Sequence, residues 1–174
     1  MAIIARPQPD EIPDFFKTYI SHIPSDVDGV TALERQKNDV MALARIGSLQ
    51  SEHRYAEGKW SVKEVVGHLA DTERILAYRL LRIARGDKTP LPAFDENEYA
   101  KTSNANSRDI ADLAREMAII RESSLALVRS LDDTMLDNRG IVRAGEVTCR
   151  AQVFILAGHF EHHLIALRER YRVL

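Results

Sequence analysis

The sequence predicts an all-α protein: a four-helix bundle with a short N-terminal helix ahead of it and a long connector between the second and third main helices. Three observations carry this expectation. Apolar residues recur at intervals of three and four over four long stretches, capping residues stand at the heads of those stretches, and no segment shows the sustained alternation that would predict a strand. With 174 residues, a chain of this size buries roughly 70% of its unfolded surface, so one core suffices and residues 1–174 read as one domain.

A short helix is expected from about Asp14 to His22, ahead of a first main helix from about Thr31 to Leu49. Thr31 and Glu34 have capping-box spacing there, and Leu33, Val40, Leu43 and Ile46 share one side. In the second main helix Ser61 and Glu64 repeat the capping box, while Trp60 and Val65 stand where a hydrophobic staple would pin the chain entry and anchor the core. That helix runs to about Arg85, and Gly86 supplies its C-terminal stop. Pro90 and Pro92 then forbid continuation and open an ordered connector. The third helix spans about Arg108 to Leu131 and buries Ile110, Leu113, Met117, Ile120, Leu125 and Val128, its charged residues facing water. Thr148 is the expected N-cap of the fourth, which carries AQVFILAGHFEHHLIALRER nearly to the C-terminus. The first two main helices are expected to be antiparallel neighbours. The connector of about 20 residues is long enough to cross the bundle, so the order of the remaining helices is open.

Composition narrows function. Lys and Arg total 24 against 26 Asp and Glu, a formal charge of -2, which leaves no electrostatic footprint for nucleic acid. No apolar run approaches the roughly 18 to 20 residues of a membrane span, and the start MAIIARPQPDEIPDFF lacks a signal-peptide pattern, so no membrane partner and a cytoplasmic location are expected. Cys149 is the only cysteine; it permits neither an intramolecular disulfide nor a cysteine-based zinc site, and it reads as a buried, inert thiol. A metal would have to be held by histidine or carboxylate.

Three of the six histidines fall in the run Gly158-His159-Phe160-Glu161-His162-His163. At 100° per residue, His159 and His163 are about 40° apart around the axis and one turn apart along it, so both imidazoles can face one point. His162 points elsewhere. His159 and His163 flank the apolar stripe of the last helix, as His68 flanks that of the second. Three imidazoles would leave a coordination position open, the pattern of a catalytic metal site. On spacing alone, a pair four apart also fits two partly exposed side chains, and His68 alone fits a hydrogen-bonded histidine at the core edge. Asp71 lies within about 60° of His68, close enough to accept a hydrogen bond from a ligating imidazole or to act as a base; a solvated surface carboxylate is the equal alternative. Glu161 is about 200° from His159, which rules out an H-E-x-x-H arrangement. His22 and His53 are expected at the surface. No histidine has a glutamate three residues before it, which excludes a di-iron carboxylate centre.

The stretches GKWSVKEVVGHLADTERILAYRLLRIARGDKTPLPAF and AGHFEHHLIALRERY, with RPQPDEIPDFFKTYI and HRYAEGKWS, resemble the DinB-like superfamily over nearly the whole chain. The resemblance implies a four-helix bundle that binds a metal through one histidine of the second helix and an H-x-x-x-H pair of the last, here His68, His159 and His163. It further implies one divalent ion, zinc or nickel, and a homodimer. The implied activity is a hydrolase that activates water or a transferase that activates a low-molecular-weight thiol, acting on a small-molecule substrate the sequence does not specify. A non-catalytic metal-binding bundle, serving stress response or ligand binding, is the alternative.

Overall fold

A computed structural model describes residues 3–143 and 145–174. In chain order its elements are α1 (Asp14–Ser21), α2 (Gly29–Leu43), α3 (Ser48–Ser51), α4 (Val62–Ala84), α5 (Glu96–Thr102), α6 (Ile110–Arg129), α7 (Asp133–Leu136), β1 (Arg139–Val142), β2 (Gly145–Thr148) and α8 (Cys149–Ala166). Among the described residues α2, α4, α6 and α8 are the four long helices of a bundle. A single π-helical turn, Leu167–Tyr171, follows α8.

The capping chemistry read from the sequence is in place at two of the long helices. Ser61 Oγ accepts from the Glu64 amide at 3.1 Å while Glu64 returns a bond to the Ser61 amide at 2.7 Å, and Thr148 Oγ1 accepts from the Ala151 amide at 3.0 Å. At α2 the expectation is corrected. Asp28, not Thr31, is the N-cap: its Oδ1 accepts from the Val30 and Thr31 amides at 3.0 and 3.2 Å, and its Oδ2 takes the Thr31 hydroxyl. A carboxylate satisfies several orphan donors at once, and its charge suits the positive end of the helix dipole. The helix also ends early, at Leu43, ahead of extended Gly47, a poor helix interior residue.

The hairpin of β1 and β2 was not expected. Four-residue strands are too short for alternation to register as a period. They pair antiparallel, Gly140 opposite Val147. The connector is pinned to their edge, since the Leu91 amide donates to Ile141 O at 2.8 Å and the Arg143 amide donates to Leu91 O at 3.0 Å.

The arrangement of the long helices also corrects the expected pairing. α4 packs against α6 and α8, and α2 packs against the same two, so α2 and α4 lie on a diagonal rather than side by side. Cross-links fix the directions. Along α4 and α6 the partners rise together, from Ser61 with Asn106 to Glu73 with Arg121, so these two run parallel. Along α2 and α6 they oppose, Glu34 with Arg129 and Lys37 with Glu122. α4 and α8 also oppose, with His68 beside His159 and the Leu76 carbonyl accepting from Gln152. Two parallel neighbours require the segment between them to return the full length of the bundle, about 35 Å for a helix of 23 residues at 1.5 Å each. The long connector exists for that crossing.

The core divides in two. One cluster gathers Leu33, Leu76, Leu125 and Phe154 with α1 and the hairpin, and the other gathers Val40, Leu69, Met117 and Phe160. Between them lies a polar layer. Arg121, expected to face water, is enclosed with Glu73, their side chains 1% and 3% exposed. The guanidinium donates to both Glu73 oxygens at 2.7 and 2.6 Å and to Gln36 Oε1 at 2.8 Å, and Gln36 Nε2 donates to the Ala157 carbonyl at 2.8 Å. Periodicity cannot find this layer, because a bidentate ion pair permits burial of charges that a stripe analysis assigns to solvent.

Candidate metal centre

His68 comes from the N-terminal half of α4, His159 and His163 from the C-terminal half of antiparallel α8. The structure brings all three together. One ring nitrogen from each lies within 4.8 Å of the others, and His68 Nε2 is 3.1 Å from His159 Nε2. Two nitrogens on one ion at about 2.0 to 2.1 Å can be at most about 4.2 Å apart, so small imidazole rotations complete the convergence. The donor set, three imidazoles, suits a divalent transition-metal ion.

Burial sets the protonation. His68 and His159 are buried and His163 half-buried. Burial first, and then the nearby imidazole of His162, lowers His68 to about 4. Burial first, and then the neighbouring histidines, holds His159 and His163 well below the ordinary histidine range. The three rings are therefore neutral near pH 7, with lone pairs ready for a cation. Thr72, one turn after His68, places Oγ1 3.3 Å from His68 Nδ1 and 3.4 Å from its Nε2. In the tautomer that frees Nε2, Nδ1–H donates to this hydroxyl and fixes the ring.

The histidines face a cavity of about 250 Å³, whose walls include Phe16, Tyr19, Trp60, Leu76, Arg79 and Phe94. Trp60 packs against the core cluster of Val40, Leu69, Met117 and Phe160 as a staple residue would, but it is half-buried and lines the cavity. Its ring centroid is 4.7 Å from that of His68, and it stacks on His163 at 6.5 Å. Tyr19 reaches in from α1, its ring 5.4 Å from that of His159; burial raises its hydroxyl pKa, keeping it a proton donor.

The other expected residues scatter. Asp71 does not line the cavity: its carboxylate meets Arg74 at 3.4 Å, and Arg74 also holds Glu116 of α6 at 2.6 Å. The step of three residues turns Asp71 toward α6, whereas the step of four puts Thr72 over His68. Glu161 lies away from the cavity, near Gln36 at 3.3 Å and Arg168 at 3.4 Å. His162 does line the cavity, and its Nδ1 is 3.3 Å from Nε2 of His22, which is half-buried rather than at the surface. His53 is exposed. Cys149 is buried, and burial pushes its thiol up to about 12. Thr72 and Arg79 were findable by stepping along the His68 face of α4. Tyr19 and His22 were not, since only tertiary packing brings α1 to α8.

The sequence profile of the DinB superfamily matches residues 32–167. A protein of Oceanobacillus iheyensis named "Putative metal-dependent hydrolase OB0413" is 30% identical over 116 residues, 66% of this chain and 66% of its own length. A second protein of that organism with the same descriptive name is 28% identical over 130 residues, 74% of this chain and 73% of its own. The matched stretch thus spans about two thirds of the first relative's length. Among solved structures, Bacillus subtilis YfiT, described with an unusual four-helix bundle topology, superposes with a TM-score of 0.71 at 19% identity, covering 97% of this chain and 93% of that one. A DinB-like protein of Bacillus subtilis gives a TM-score of 0.57 at 21% identity over 83% and 90% of the two chains. These structural likenesses show the fold. The chain belongs to the DinB superfamily.

Proposed function

We propose that this DinB-superfamily chain is a metal-dependent hydrolase in which His68, His159 and His163 hold one divalent ion, zinc or nickel, at the floor of the cavity. The observation that carries the proposal is a cluster of three neutral imidazoles opening onto a cavity of about 250 Å³. A purely structural site is closed by four protein ligands, whereas this one has three among the described residues. A bound ion would supply Lewis-acid activation of water and polarisation of a substrate carbonyl. The chain's own residues do the rest. Thr72 orients the His68 ring, and Trp60 covers His68 and His163, excluding solvent from one side. His162 Nδ1 and His22 Nε2 lie within hydrogen-bonding distance of each other beside the cavity, while Tyr19 offers a hydroxyl donor. The named relatives support a hydrolytic reading.

The test uses protein purified without a metal-chelating tag and loaded with zinc or nickel. It is assayed on a panel of esters, lactones and amides, with and without a low-molecular-weight thiol. The expected result is hydrolysis of at least one class, reduced by two orders of magnitude or more, on the order of what a lost metal ligand removes, in His159→Ala. Turnover that requires the thiol would move the assignment to transfer. Activity unchanged in His159→Ala would overturn the metal mechanism.

A further inference from the structure

The cavity has a second chemical end. Arg79 follows His68 by eleven residues on α4, about 16 Å along the axis at 1.5 Å per residue and within about 20° of the same face. His68, Thr72, Leu76 and Arg79 thus line one wall in a row. Arg79 is 5% exposed, yet its hydrogen bond is to a backbone carbonyl, Nη2 donating to Pro92 O at 2.6 Å, and its guanidinium lies 5.9 Å from the centroid of Phe94. No carboxylate among the described residues comes within ion-pair distance of it. The buried side-chain atoms without a partner among those residues are Ser124 Oγ and Gln152 Oε1, so the remaining Arg79 N–H groups keep accessible surface, and Arg79 lines the cavity. Arg143, at the hairpin turn, lines the same cavity with its guanidinium 4.2 Å from the centroid of Phe15. Two guanidinium groups without an ion-pair partner among the described residues thus lie at one end of the site, Arg79 buried and Arg143 exposed, and burial first and then the charge of Arg143 lower the Arg79 pKa. Glu96 also lines the cavity, exposed and beyond ion-pair distance of both.

Buried charge without a counter-charge is expensive, and proteins keep it where a ligand supplies the partner. We propose that Arg79 and Arg143 form an anion subsite, and that the substrate is an elongated molecule whose carboxylate they bind. An apolar spacer, lying along Leu76 and Ile155, separates that carboxylate from the group reacting at the histidines. A carboxylate is chosen because its planar pair of oxygens matches the guanidinium fork. The assignment rests on the metal-site reading for the position of the reacting group, but not for the anion contact.

Isothermal titration of the zinc-loaded chain with two probes separates these parts. Octanohydroxamate chelates zinc and ends in a methyl group; suberic acid monohydroxamate is its counterpart ending in a carboxylate. Both are expected to bind, the carboxylate probe about tenfold tighter, as a charge-assisted bidentate pair allows. Arg79→Gln, which keeps an N–H for Pro92 O, should erase the difference while leaving octanohydroxamate affinity unchanged, and Arg143→Gly, suited to φ of 59°, should reduce it. Equal binding of the two probes, or equal weakening of both by Arg79→Gln, would overturn the anion subsite while leaving the metal reading intact. If neither probe binds, the metal reading fails, and octanoate against octanamide on the metal-free chain decides the subsite: tighter binding of octanoate that vanishes in Arg79→Gln sustains it, and equal binding overturns it.

Discussion

Glu73 and Arg121 show what a single pair of residues does in this core. Each side chain is almost completely enclosed, and the guanidinium fork meets both carboxylate oxygens. A pair of this kind adds little net stability over apolar residues of the same size, but removing one partner strands the other charge. Glu73→Gln should therefore cost about 3 to 5 kcal/mol, read as a lowered urea midpoint. Glu73→Leu combined with Arg121→Met should recover most of that loss, and a double variant as unstable as the single one would contradict this account. At this scale the sequence was legible where chemistry is local. The spacing of His159 and His163 put two imidazoles on one helix face, the family resemblance joined His68 to them, and the fold brings all three together. Arg121 was misread because nothing within its own helix reveals the carboxylate waiting on α4.

The helices themselves were the most legible feature, since caps and stripes are written within a few residues of each other. Ser61 with Glu64 and Thr148 mark true starts. What escaped was pairing: the diagonal placement of α2 and α4 and the parallel run of α4 with α6 depend on contacts far apart in sequence. One close approach is diagnostic. A Cβ on Gly158 would lie 2.2 Å from the carbonyl oxygen of Tyr19, so α1 packs on α8 through the absence of a side chain. Backbone cannot yield as a flexible side chain can. Gly158→Ala should cost about 2 kcal/mol or more despite the better helix propensity of alanine, and it should displace α1 and Tyr19 from the histidines. A thermal melt of this variant at or above the parent midpoint would refute the close packing of the two helices.

For the molecule as a whole, the buried histidines couple stability to pH. The sign follows from their lowered values. An unfolded histidine titrates near 6.5 and folded His68 near 4, so between these values the unfolded chain binds more protons, and stability is lost as pH falls. His68 alone contributes about 3 kcal/mol to that loss at about 1.4 kcal/mol per unit, and His159 and His163 act in the same direction. Metal-free protein should thus melt progressively lower from pH 6.5 to 5, a window above the usual carboxylate range, whereas a flat profile would show that the histidines are not enclosed as described. No helix among the described residues is long and apolar enough to cross a membrane. The central claim, three imidazoles from two helices meeting on one ion, is tested most directly by elemental analysis of untagged protein equilibrated with zinc and desalted. The account predicts one ion per chain, falling close to zero in a folded His68→Ala, His159→Ala double variant. Wild-type protein that retains no zinc, or a double variant that retains it in full, would contradict it.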